Sequence, residues 1–193
     1  VVDYKTGTKK LDLKEVYCGL DCQMLLYLFS LTRDASGRFT GAEPAGVLYL
    51  LADPAPESTT RANAARSVEY KLDGLVRDEE KIFRAMDAEE TGRYLPFGYL
   101  RGAPSPYQKD KRADAAKLSR IRLHLDDLVT RMGEQLYGGQ IAAEPLVTGR
   151  SPCRWCDYGF ICCHESGIGE RALDAPAKPF EAPEETEKKE EQP

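Results

Sequence analysis

Between residues 113 and 137, apolar positions recur at spacings of three and four, at Leu118, Ile121, Leu125, Leu128, Met132 and Leu136. Arg120, Arg122, Asp126 and Arg131 fall on the other faces. That period predicts one long amphipathic helix, stopped by Gly138-Gly139. His124 lies inside it with no second ligand at metal-binding spacing and reads as structural. A second apolar segment, from about Tyr17 to Thr32, predicts another helix, entered through a short link at residues 11–16. Gln23 and Tyr27, four residues apart, share one of its faces. A third segment, Gly46 to Ala52, is continuously apolar and bounded by Gly and by Asp53-Pro54, which predicts a buried strand. The opening Val1-Val2-Asp3-Tyr4-Lys5, turned by Thr6-Gly7, reads as the end of another buried strand, with the third segment beside it.

The pattern is weaker elsewhere. Residues 34–45 and 54–64 carry loop chemistry, and Ser67 to Lys71 alternates as a short edge strand. Residues 72–76 are predicted to turn that strand into a helix over 78–86. Residues 88–112 form an irregular connection with one short strand over 95–100. After residue 174 almost nothing is apolar, too little to offset the entropy of ordering. The expected organisation is an α/β domain over 1–165, a small mixed sheet flanked by helices, with 166–193 a disordered acidic tail.

Composition narrows the class. A chain of 193 residues, 41% hydrophobic and 31% charged, buries one main core. No apolar run approaches the roughly 20 residues of a membrane span, and no signal-peptide pattern is present, so a soluble, cytoplasmic protein is expected. The chain opens on Val inside a strand, which suggests a fragment. Its net charge is −5, but residues 181–193 hold six Glu and two Lys, so the other 180 residues carry only −1. A nearly neutral body does not hold DNA by electrostatics alone.

Candidate chemistry begins with Asp3 and Lys5, which point to the same face of a strand while Tyr4 points to the other. A hard divalent cation takes oxygen ligands, and Asp3 with the backbone carbonyl of Tyr4 supplies two. Lys5 then has the charge to orient a water or to stabilise a developing phosphate anion. Taken alone, Asp-x-Lys reads as an exposed strand end with a surface ion pair, and Tyr27 alone as a core residue. The conjunction of strand and helix raises the interest.

Cysteines provide the other candidate. Cys153, Cys156, Cys162 and Cys163 lie in one short stretch ending at His164. A Cys-x-x-Cys pair with a third thiol beyond it suits a zinc site, a redox pair or an iron-sulfur cluster, although neighbouring ligands at 162–164 make poor tetrahedral geometry. Cys18 and Cys22, on the second helix, read as small core residues.

The run Val-Val-Asp-Tyr-Lys-Thr-Gly at 1–7, followed by Val16-Tyr17-x-Gly19-Leu20 and Gln23-x-x-x-Tyr27, resembles the later motifs of the RecB-type branch of the PD-(D/E)xK nucleases. More narrowly, the chain up to about residue 165 is similar to the C-terminal part of the AddB family of helicase/deoxyribonuclease subunits. The resemblance implies a restriction-endonuclease-like core with Asp3 and Lys5 catalytic, Asp3 and Tyr4 holding Mg2+ or Mn2+, and Gln23 and Tyr27 placing the DNA backbone. It implies a [4Fe-4S] cluster on Cys153, Cys156 and Cys162 with a fourth cysteine upstream, leaving Cys163 unmatched. It also implies a further metal-binding Asp before Val1, so the 193 residues alone are expected to be inactive. The implied function is 5′ to 3′ exonucleolytic cleavage of single-stranded DNA at duplex ends, with an AddA-like partner, during homologous recombination. A Cas4-like exonuclease and a non-catalytic DNA-binding protein are the alternatives.

Overall fold

The computed structural model describes residues 1–5, 10–33, 37–51, 72–92, 94–148 and 151–182. The predictions for Thr6-Gly7, 54–64, 67–71 and 183–193 lie outside them. Strand β1 (Val2–Lys5) opens the chain, and two helices follow where one was expected. Asp12 caps α1 (Leu13–Tyr17), its carboxylate accepting from the Lys14 N–H at 2.8 Å. Gly19 and Asp21 then take left-handed backbone conformations, at φ 89° and 54°. A right-handed helix cannot run through such residues, so α2 (Gln23–Thr32) starts afresh. Cys18 and Cys22 therefore sit at the end of α1 and the start of α2, half-buried, and not within a helix.

Strand β2 (Gly46–Leu51) follows as predicted. Next, β3 (Asp73–Arg77) occupies the segment expected to be a turn. Gly74 suggested that turn, but its role is close approach: at φ 146°, a Cβ there would lie 2.1 Å from the Val47 carbonyl oxygen of β2. Helix α3 (Glu80–Met86) comes next, then the hairpin β4 (Tyr99–Leu100) and β5 (Ala103–Pro104), shorter than the strand expected over 95–100. A 3-10 stretch, Pro106–Lys111, leads to β6 (Arg112–Ala113) and α4 (Ala115–Tyr137), which Asp114 caps through Lys117 N at 2.6 Å. The chain closes with β7 (Leu146–Val147), the short α5 (Gly159–Cys162) and β8 (Arg171–Ala172), which pairs with β7.

The main sheet has the order β1-β2-β3-β6, with β1 parallel to β2 and β2 antiparallel to β3. Alternation along the strands serves two cores. Val47, Tyr49 and Leu75 face α2 and α4, where they meet Met24, Leu25, Phe29 and Ile121. Leu48 and Val76 face the other way, onto Phe83, Leu95 and Phe97. β1 is a sheet edge among the described residues, and Val2 and Tyr4 are 56% and 72% exposed, so the expectation of a buried strand there is corrected.

Only the first half of the α4 stripe is buried. Leu118, Ile121 and Leu125 are in the core, whereas Met132 and Leu136 are exposed. His124 is structural: its ring stacks on Tyr17 at 4.6 Å and its Nε2 lies 2.8 Å from the Tyr17 carbonyl oxygen. The chain after residue 165 does not leave the fold at once. Phe180 is buried against Tyr17 and His124, its carbonyl accepts from Arg120 Nε at 2.7 Å, and Glu181 pairs with Lys117 at 2.6 Å. One aromatic inside a polar stretch is enough to dock it, which corrects the expectation of a tail beginning at 166. No helix among the described residues is long and apolar enough to cross a membrane.

Candidate active site

The polar centre lies on the helix-covered face of the sheet, at β1. Asp3 and Lys5 alternate onto that face and pair at 2.6 Å, with 34% and 23% of their side chains exposed. Tyr49 of β2 stands opposite Asp3, and Asp73 of β3 stands opposite Tyr49, so the three make one row across three strands. Asp73 is fully engaged, accepting from Leu11 N at 2.7 Å and pairing with Lys111 at 2.7 Å. Tyr49 is completely buried, and Lys5 Nζ lies 5.5 Å from its ring centroid.

Helix α2 turns Met24, Leu25, Leu28 and Phe29 inward and leaves Gln23 and Tyr27 outside. Gln23 Nε2 donates to the Tyr27 hydroxyl at 2.9 Å. Tyr27 lies within electrostatic reach of Lys5, so the strand pair and the helix pair flank one surface. The hydrogen bond to Asp3, with the charges of Asp3 and Asp21 around it, outweighs partial desolvation and raises the Lys5 ammonium above its ordinary range. The Tyr4 side chain leaves on the opposite face, so only its carbonyl remains available to this site.

Asp21 is the residue that sequence reasoning missed. It stands on the corner between α1 and α2, next to Tyr49 and near Lys5. Asp is among the few residues that tolerate a left-handed conformation, and its position just before the Gln23 helix was the available signal. Its charge is also felt by Cys22, whose thiol is pushed up to about 11, first by burial and then by this carboxylate. A thiol raised in the folded state stabilises below its unfolded value and loses that contribution as pH rises. Stability is therefore expected to fall between pH 9 and about pH 11, and less steeply in Cys22→Ala, as read from urea midpoints across that range.

Two oxygen donors at this place suit a hard divalent cation, the Asp3 carboxylate and the Tyr4 carbonyl. They fill part of a coordination shell, since no three His, Cys, Asp or Glu side chains converge among the described residues. The same finding applies to the cysteines. Cys153 lies in a 3-10 turn (Pro152–Trp155), Cys156 follows it, Cys162 ends α5 and Cys163 takes φ 52°; all four are exposed and not gathered into one set. Thiolates are the right donors for a cluster. Trp155, Tyr158, Phe160 and Ile161 around them are also exposed, between 64% and 82%. Most of this segment is therefore open to solvent.

The edge strand of the mixed sheet thus carries Asp-x-Lys beside the Gln23–Tyr27 helix. The sequence model of the PD-(D/E)XK nuclease superfamily matches residues 1–163, and the chain belongs to that superfamily. Within it, the chain is similar to bacterial proteins named as a subunit of the ATP-dependent helicase/deoxyribonuclease. That of Thermoanaerobacter sp. (strain X514) is 29% identical over 176 residues, that of Bacillus pumilus (strain SAFR-032) 33% over 184, and that of Bacillus subtilis (strain 168) 30% over 185. These matches cover 87–88% of this chain, which spans 15% of the length of each relative.

Proposed function

We propose that this chain carries the cleavage centre of a metal-dependent deoxyribonuclease that hydrolyses phosphodiesters of single-stranded DNA. The observation that carries the reading is the Asp3–Lys5 pair on β1, flanked by the exposed Gln23–Tyr27 pair of α2. Asp3 and the Tyr4 carbonyl would hold magnesium or manganese, which when bound supplies charge stabilisation and a more acidic water. Lys5, a cation fixed beside Asp3, hydrogen-bonds the attacking water or the phosphate oxygen on which charge develops. Gln23 and Tyr27 offer an amide and a phenol to the strand's backbone, fixing its register along α2. The near-neutral body makes a separate DNA-holding surface necessary.

Similarity to helicase/deoxyribonuclease subunits supports the finer reading: exonucleolytic cleavage, 5′ to 3′, beside a helicase-nuclease partner, in processing of double-strand breaks for homologous recombination in the bacterial cytoplasm. Cys153, Cys156 and Cys162 would hold a [4Fe-4S] cluster together with a fourth cysteine from outside these residues; iron and sulfide analysis of the anaerobically purified full-length protein tests it. For the nuclease reading, the full-length protein is incubated with end-labelled single-stranded DNA, with magnesium or with excess chelator. Cleavage with magnesium and none with chelator is expected. Equal cleavage in both would rule out the metal-dependent site.

A further inference from the structure

The row Asp3, Tyr49, Asp73 contains one polar group without a well-formed hydrogen bond among the described residues. Asp73 serves Leu11 and Lys111, and Asp3 serves Lys5. Tyr49 between them is wholly buried, and its hydroxyl makes no well-formed hydrogen bond among the described residues, although the Asp21 carboxylate lies near enough to draw on its proton. Phenylalanine would fill the same volume without burying an unsatisfied hydroxyl, and such groups in native proteins call for an explanation. Burial first, and then the charge and pull of Asp21, keep the phenol protonated far above its ordinary range. Two further features converge on Lys5. Its ammonium lies 5.5 Å from the Tyr49 ring centroid, within the range of a cation–π contact. Asp21 is held at φ 54°, a left-handed conformation that Asp tolerates, at the place where its charge acts on both Tyr49 and Lys5.

We propose that Tyr49 and Asp21 are positioning residues that seat the Lys5 ammonium, keeping it in place when the Asp3 carboxylate turns from it to a metal ion. The inference rests on the nuclease reading above. A carboxylate that ligates a divalent cation retains little attraction for an ammonium, and a free lysine side chain would swing into solvent. The rigid aromatic face beneath and the second carboxylate beside it replace the lost partner. Tyr49 is suited to this because its backbone is locked between β1 and β3, in register with both.

Two measurements on the full-length protein test it. The first is steady-state cleavage of a labelled single-stranded oligonucleotide. Asp21→Asn lowers kcat about tenfold with KM little changed, the signature of an interaction needed in the transition state. Tyr49→Phe, which keeps the ring face, stays within about threefold of wild type, whereas Tyr49→Leu falls at least about tenfold. The second is a double-mutant cycle on the melting temperature with Asp3→Asn and Asp21→Asn, without metal or DNA. If Asp21 shares the hold on Lys5, the double variant loses more than the sum of the two single losses. Additive losses with kcat unchanged in Asp21→Asn and Tyr49→Leu would overturn the proposal. Should the wild-type protein fail to cleave, the nuclease reading falls, and the thermal cycle still decides the seat.

Discussion

Lys5→Ala in the full-length protein is expected to lower cleavage of single-stranded DNA by about 10² to 10³-fold, the usual loss when a fixed charge-stabilising donor is removed from a reacting centre. Oligonucleotide binding should stay close to wild type, because one phosphate contact among many contributes little to affinity. The geometry dictates the split. Lys5 is held by Asp3 at 2.6 Å and over the Tyr49 ring, on a strand and not on a loop, so its position is set before substrate arrives. Its loss should not unfold the domain, since the ion pair is partly exposed and such pairs contribute about 1 kcal/mol or less. Kinetics and oligonucleotide titration of the same preparation check both halves. A Lys5→Ala protein that cleaves within a few-fold of wild type would remove Lys5 from the chemistry.

Gly74→Ala should have the largest effect on stability of any single methyl addition in the sheet. The added Cβ meets the Val47 carbonyl oxygen at 2.1 Å and Leu48 Cα at 3.0 Å, with φ at 146°. Neither neighbour can move freely: Val47 is buried in one core and Leu48 in the other. Backbone strain of about 1–3 kcal/mol and overpacking of a similar size combine to about 3–5 kcal/mol. That is a large share of the roughly 5–15 kcal/mol that holds a typical domain folded. Because Asp73 and Tyr49 lie next to the contact, their row should be disturbed with it. Chemical denaturation measures the loss, and a change below about 1 kcal/mol would show that β2 and β3 are not packed this closely.

What was legible in the sequence follows from how local each signal is. The run from Gly46 announced β2 by its unbroken apolar character, and α4 by its period and by Gly138-Gly139; both stand where they were expected. Asp3, Lys5, Gln23 and Tyr27 were legible because strand alternation and the helical repeat fix which side chains share a face, and the fold brings the two pairs to one surface. Misreadings came where a residue's role depends on a distant partner. Gly74 has the local chemistry of a turn, yet it is glycine because the β2 backbone passes against it. Phe180 sits in a stretch that looks unable to fold, and its partners are 56 and 163 residues earlier, at His124 and Tyr17. Tyr49 reads as one more apolar position within a strand, and Asp21 as one more polar residue in a turn. Only the register of β1, β2 and β3 places the first under Lys5, and only the broken helix places the second beside it.

The cysteine segment differs in kind. Its four thiols are close in sequence but exposed and ungathered, and the aromatic residues between them are largely exposed. Local sequence sets the donors there, while their arrangement depends on the group that they would hold.

In the proposed nuclease, Asp3 anchors a divalent cation at the end of β1. Titration of manganese into the full-length protein and into Asp3→Asn, read by the paramagnetic resonance of the free ion, tests this most directly. A site in the wild-type protein is expected, with its affinity at least about tenfold lower in Asp3→Asn. Equal manganese binding by the two proteins would contradict it, and would return Asp3 and Lys5 to a surface ion pair at a strand end.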